Sequence, residues 1–306
     1  MKKFLTIIVA GFLIVTLLDQ LIGRGLEKFF SSATVGEQGH LNHVLKDVDA
    51  PILVFGTSKA LHHYVPQVIV DSTGMECYNC GFEAQGIMTN YALIRCITQR
   101  YQPQLIIYDL DYHYDIEYAP YTNNVVNVRR MSKLTIRDSL LNAIDPWAHL
   151  RMKSRIYPYN SALIELVLNR FQNSTYDNPE ADRGYIPQHN VLDQDAIDNW
   201  NPPIATDTLR LNLIANLIER YHDRLIFFSS PTYQHQPRLD QMYATVKKLA
   251  EPYDVPIYVL GNDSIFMDKP ELWDDIRHLN DDGARIYTAK VAHLVKLWLK
   301  THPGDK

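Results

Sequence analysis

The sequence predicts an α/β protein, a three-layer α/β/α arrangement around a central parallel sheet, preceded by one transmembrane helix. Three observations predict it. Short apolar runs end at Gly56, Gly81 and Asp109–Asp111, the pattern of buried parallel strands emptying into loops. Segments with apolar residues at helical spacing separate these runs, as the crossovers of parallel strands require. A lysine-flanked apolar stretch precedes them all.

Lys2 and Lys3 precede a mostly apolar run from Phe4 to Leu18, which Leu21 and Ile22 extend to nearly spanning length. No small-x-small site follows the run closely, Ser31-Ser32-Ala33 lying well downstream, so an uncleaved anchor over 1–23 is expected rather than a signal peptide. Positive charge is retained on the cytoplasmic side, which predicts a single-pass membrane protein with a cytoplasmic N-terminus and an extracytoplasmic domain. Residues 24–50 read as a mixed amphipathic, membrane-proximal linker that lifts the domain from the bilayer.

The domain is expected over 51–306. Its first strand is Pro51–Phe55, closed by Gly56-Thr57-Ser58, with a helix from Pro66. A second strand, Met75–Cys80, ends at Gly81, and the helix Ile87–Tyr101 runs until Pro103 stops it. Leu105–Asp111 is the third strand. From about 112 to 207 the alternation fails in favour of Tyr, Asn, Asp and Pro, an insertion with helical stretches such as Ser161–Arg170. Regularity returns with the helix Leu209–Tyr221, the strand Leu225–Ser230, the helix Leu239–Ala250, the strand Ile257–Leu260 and a last helix over Asp282–Lys300.

A chain of 306 residues, 46% hydrophobic and 21% charged, has ordinary globular composition. Its net charge of −5 is spread without a basic block, so nucleic acid is not an expected partner. Cys77, Cys80 and Cys96 are odd in number, and their one C-x-x-C has no second ligand pair and runs into Gly81 rather than opening a helix. Buried or half-buried thiols with at most one optional disulfide are expected, with no metal and no cofactor.

Open parallel sheets place ligands at the carboxyl ends of their strands. There stand Gly56-Thr57-Ser58-Lys59, Asn79-Cys80-Gly81 with Gly86 downstream, and Asp109-Leu110-Asp111; near the C-terminus stands Asp275-Ile276-Arg277-His278. In these blocks the chain resembles the SGNH/GDSL hydrolase superfamily over most of 51–300. The resemblance implies a flavodoxin-like fold, with Ser58 as nucleophile in a G-D-S-like block that here carries Thr57. It further implies Asp275 and His278 as acid and base, and the amides of Ser58 and Gly81 as oxyanion donors. The chemistry needs these residue types: a serine hydroxyl requires an imidazole to take its proton, and a carboxylate fixes the imidazole's tautomer and stabilises the imidazolium.

The family's third block, G-x-N-D, is missing. Its place is taken by Asp109-Leu110-Asp111-Tyr112-His113, which leaves the third oxyanion donor unassigned. The gap is shared by membrane-anchored relatives resembling the D-alanyl-transfer protein of lipoteichoic acid synthesis and the acetylation proteins of exported polysaccharides. Asp111 is expected to be structural or substrate-contacting, as a carboxylate aimed at an oxyanion would be harmful unless protonated. Asn79 and His62 are further candidate substrate contacts; His62 and His63 line a pocket or sit on an exposed loop. Arg277 either binds an anionic substrate or is solvated. Tyr112, Tyr114, Tyr118, Tyr121, Trp147, Tyr157 and Tyr159 offer stacking surfaces for sugars or ordinary core. Asn173-Ser174-Thr175 is a glycosylation sequon only in a eukaryotic cell.

The expected function is hydrolysis of acyl esters, of cell-envelope glycans given the anchor. The alternatives are O-acyl transfer on the same substrates and a non-catalytic surface binding or assembly module.

Overall fold

The computed structural model describes residues 1–117, 125–131, 135–160, 182–193 and 205–302. Tyr118, Tyr121, the expected helix Ser161–Arg170 and the sequon at Asn173 lie outside the described residues.

Five strands, β1 (Ile52–Phe55), β2 (Cys77–Asn79), β3 (Leu105–Asp109), β4 (Leu225–Ser229) and β5 (Ile257–Val259), form one parallel sheet in the order β2-β1-β3-β4-β5. Every residue of β1 to β4 is buried, and β5, at the edge, is half-buried. Alternation along the strands divides the core. Leu53, Phe55, Ile106, Tyr108, Leu225 and Phe227 face helices Gly36–Lys46, Ile87–Arg100, Thr208–Tyr221 and Leu239–Ala250. Ile52, Val54, Leu105, Ile107, Ile226 and Phe228 face helices Pro66–Thr73 and Asp281–Thr301. Helices thus cover both faces, which is why the strands read as continuous apolar runs rather than alternating ones.

The apolar N-terminal helix runs unbroken from Lys2 to Ser31 and is long and apolar enough to cross a membrane. The stretch expected to act as a linker is instead packed into the domain. Leu41, Val44, Leu45 and Val48 lie at i, i+3, i+4 and i+7, and this stripe joins the larger core, with Val44 fully buried. The domain also grips the apolar helix itself. Asp19 accepts hydrogen bonds from the Ser154 hydroxyl (2.6 Å) and the Arg155 amide (2.9 Å), while Phe30 stacks on Tyr159 at 4.6 Å. A Cβ on Gly23 would stand 2.2 Å from Arg155 Cβ, so this close approach requires glycine.

β3 ends two residues earlier than the apolar run suggested. Asp111 Oδ1 accepts from the His113 and Tyr114 amides, a side-chain cap that turns the chain into a short π-helix, Tyr112–Ile116. The three cysteines are free thiols, Cys77 and Cys80 buried, and burial pushes Cys96 up to about 11.

Candidate active site

β2 pairs on one side of β1 and β3 on the other, so the chain reverses its winding there and the carboxyl ends of β1 and β3 flank a switch point. Gly56 closes β1 with φ +151°, and a Cβ there would meet Ala60 Cβ at 2.8 Å and the Asp109 carbonyl at 2.9 Å. Only glycine lets the turn lie that close to β3. Thr57 then caps the helix Ser58–His63, its hydroxyl accepting from the Lys59 amide at 3.3 Å. Ser58, the first residue of that helix, is delivered to the mouth of the switch point with its N–H among the first-turn donors that no helical carbonyl can satisfy.

The loop carrying Asp275 and His278 arrives from the far end of the chain and is pinned on both sides. Trp273 and Leu279, both fully buried, pair across its base, and the Trp273 indole donates to the Phe266 carbonyl at 2.8 Å. The Leu279 amide donates to His63 Nε2 at 3.0 Å. His63 is therefore an acceptor, and burial, followed by the nearby His278 and Lys59, pushes its pKa well down, which keeps it neutral. Within the loop Asp275 Oδ1 accepts from the amides of Arg277 (2.7 Å) and His278 (2.8 Å), fixing the carboxylate's orientation.

These constraints align three side chains. His278 Nδ1 donates to Asp275 Oδ2 at 2.9 Å, and the Ser58 hydroxyl donates to His278 Nε2 at 2.8 Å. The carboxylate partner at Nδ1 selects the tautomer in which Nε2 is the acceptor. Burial raises Asp275, but the bonds from His278 and the two amides more than offset it and hold the carboxyl down at about 2. It stays ionised across the physiological range.

Ser58 and His278 border a cleft of about 190 Å³ shared with Lys59, Glu83, Asp111, Tyr114 and Arg277, with Asp275 behind His278. Lys59 Nζ lies 3.2 Å from Asp111 Oδ2. Burial raises Asp111, but Lys59 and the backbone amides prevail and hold it below the usual carboxylate range. Beneath the cleft Asp109 is fully buried, accepts at Oδ1 from the hydroxyls of Tyr64 (2.7 Å) and Ser230 (2.8 Å), and is pushed up by burial to about 7.

Not every expected residue reaches the cleft. Gly81, expected as an oxyanion donor, spends its N–H on Asn79 Oδ1 (2.9 Å), and a Cβ there would stand 2.6 Å from the Leu61 amide nitrogen. It is glycine so that the end of β2 can tuck under the helix Ser58–His63. Asn79 is not a substrate contact either: fully buried, its amide group donates to the carbonyls of Ala60 (2.7 Å) and Tyr64 (2.9 Å), stapling that helix to β2. His62 is buried behind the cleft rather than on a loop surface, bonded to the Ile186 carbonyl (2.8 Å) and to Glu83 (2.6 Å). Arg277 and Asp111 do line the cleft, as do Tyr112 and Tyr114, whereas Trp147 is exposed elsewhere.

Ala84 was missed. It borders the cleft with φ +52°, a backbone conformation uncommon for a residue with a Cβ and of the kind that persists where surrounding structure enforces it. Nothing in its residue type signals this, because alanine carries no preference for positive φ.

No protein-family model matches the chain, and no curated protein matches it in sequence.

Proposed function

We propose that this chain is a membrane-anchored SGNH-type serine esterase whose domain lies outside the cytoplasm and acts on acyl esters of cell-envelope glycans. The observation that carries the proposal is the hydrogen-bonded line from Asp275 through His278 to Ser58 at the switch point of the sheet. The strand order 2-1-3-4-5, shared with flavodoxin-like sheets, and the sequence order of the serine and Asp-x-x-His blocks both support the family reading. The lysines ahead of the apolar helix support a cytoplasmic N-terminus.

In this reading the Ser58 hydroxyl attacks the ester carbonyl while His278 Nε2 takes its proton, and Asp275 stabilises the imidazolium. The oxyanion forms at the mouth of the helix Ser58–His63, where the N–H of Ser58 receives it. We assign the second amide to Ala84, whose positive-φ backbone sits on the cleft wall, in place of Gly81. Lys59 fills the role of the missing third-block asparagine: Asp111, at that block's position, holds the ammonium at the cleft beside Ser58. A preorganised donor of this kind contributes about 3 to 4 kcal/mol to lowering the barrier. Collapse expels the alcohol, protonated by His278, and leaves an acyl group on Ser58. His278 then activates the acceptor.

Water as acceptor gives hydrolysis. A sugar hydroxyl gives transfer, and the half-buried ring of Tyr114 on the cleft wall favours this as the second reading. The test is turnover of p-nitrophenyl acetate by the full chain in detergent. The expected result is a rate lost on the order of 1,000-fold or more in Ser58→Ala. A folded wild-type protein that turns over no better than Ser58→Ala contradicts the enzyme and leaves the non-catalytic module. Adding xylose or a similar polyol separates the two acceptors, since transfer yields acetylated sugar.

A further inference from the structure

We infer that Glu83 binds free hydroxyls beside the reacting ester, so that the cleft selects esters of polyols and sugars over esters of plain alcohols. Glu83 takes no part in the line from Asp275 through His278 to Ser58, yet it stands on the cleft wall with Ser58 and His278, its side chain 50% exposed. Its Oε1 is bonded to His62 Nε2 at 2.6 Å, and among the described residues Oε2 makes no hydrogen bond. A carboxylate offers about four lone-pair sites, so most of the acceptor capacity of this one remains for a molecule that enters the cleft.

The carboxylate is held in place before any ligand arrives. His62 is buried and is fixed at its other nitrogen by the Ile186 carbonyl at 2.8 Å. The backbone on either side of Glu83 is constrained as well, Phe82 being fully buried and Ala84 having φ +52°. Burial raises Glu83, but the bond to His62 and the proximity of His62 and His278 prevail and hold it below the usual carboxylate range, so it is an anion at neutral pH. An acceptor that is charged and already ordered makes strong hydrogen bonds and loses little freedom on binding.

Its surroundings select the ligand. His278 Nε2 must reach the alcohol oxygen in order to protonate it, and the His62 ring that holds Glu83 lies edge-on to the His278 ring, with centroids 5.4 Å apart. Glu83 therefore stands on the side where the alcohol half of the ester is seated. The neighbouring wall is Tyr114. A Cβ on Gly86 would stand 2.3 Å from the Tyr114 carbonyl, so the loop carrying Glu83 packs directly on that residue, whose half-buried ring also borders the cleft. A carboxylate that accepts from hydroxyls, next to a ring that covers C–H surface, suits a sugar or another polyol. Charge argues the same way: the lysine and arginine of the cleft, Lys59 and Arg277, balance its two carboxylates, Glu83 and Asp111, which favours a neutral hydroxylated ligand over an ion of either sign. This inference rests on the esterase reading and names the alcohol such an esterase accepts.

The test is acetate release by the full chain in detergent from two esters of matched size, glycerol 1-acetate, which carries two free hydroxyls, and propyl acetate, which carries none. The quantity read is the ratio of their kcat/KM values, compared between wild type and Glu83→Gln so that the esters' own reactivities cancel. Glutamine keeps an oxygen for His62 and the shape of the side chain, but removes the charged acceptor. The ratio is expected to fall about tenfold in Glu83→Gln, as a site built around a substrate hydroxyl loses its preference for it. Glu83→Asp, which withdraws the carboxylate by one methylene, serves where Glu83→Gln fails to fold, with a fall of about threefold expected. An unchanged ratio overturns the inference: if both esters slow together, Glu83 only holds the loop that carries Ala84, and if neither slows, it has no part in the cleft. A folded wild-type protein that hydrolyses neither ester contradicts the esterase reading itself, and this inference with it.

Discussion

At the scale of single residues, the side chains that do the proposed chemistry were legible and the backbone groups were not. Ser58, Asp275 and His278 could be found because the reaction needs those residue types, and the fold brings His278 Nε2, 220 positions along the chain, to 2.8 Å from the serine hydroxyl. Gly81 was misread because glycine is consistent with two needs, an exposed amide and a close backbone contact, and here it meets the second. Lys59 carries a prediction of its own. If its ammonium stabilises the oxyanion, Lys59→Met should lower kcat by about 100- to 1,000-fold with KM little changed, because the interaction strengthens only as charge develops. Steady-state kinetics on an activated ester measure it, and a KM effect with kcat preserved would assign Lys59 to substrate binding instead. Asp275→Asn should fall in kcat by about 10,000-fold, since an amide at Oδ2 can favour the wrong histidine tautomer.

At the scale of elements, the buried strands were legible because each is a short apolar run with a polar or glycine terminator. Their ends were less so. The capping carboxylate of Asp111 ended β3 early, and that depends on where His113 and Tyr114 fold. The helix Ser58–His63 was not expected as a helix, being only six residues long and followed by Tyr64 in an extended conformation. What fixes it is tertiary: Asn79 donates to the carbonyls of Ala60 within it and of Tyr64 just past its end, and Gly81 lets the end of β2 approach its backbone. Gly81→Ala would force a Cβ to within 2.6 Å of the Leu61 nitrogen, which belongs to backbone and cannot swing away. Overpacking of this sort costs about 1 to 3 kcal/mol or more. Chemical denaturation should show that loss, together with weaker activity from a displaced Ser58. A Gly81→Ala protein of wild-type stability would remove this account of the glycine.

At the scale of the whole molecule, the α/β class and the apolar N-terminal helix follow from patterning, whereas the union of that helix with the domain does not. Asp19 reads as an interruption of an apolar run, and its partners lie 135 and 136 residues away. Global stability should also report the buried floor of the cleft. Burial raises Asp109 from 3.8 to about 7, so between those values the folded protein keeps a proton that the unfolded chain has released. The stabilisation is complete below pH 3.8 and is lost as pH rises through about 7, by up to about 1.4 kcal/mol per pH unit. Asp109→Asn should lack that decline, so its stability relative to wild type should improve steadily from pH 4 to pH 7 in urea titrations. A constant difference would show that Asp109 ionises normally. The central claim, that the line Asp275–His278–Ser58 makes Ser58 a nucleophile, is tested most directly by reacting the folded full chain with a fluorophosphonate and mapping the adduct by peptide mass spectrometry. The account predicts a single adduct on Ser58, slowed at least about 100-fold in His278→Ala by loss of the general base. A folded protein that stays unlabelled, or that labels equally fast without His278, would contradict it.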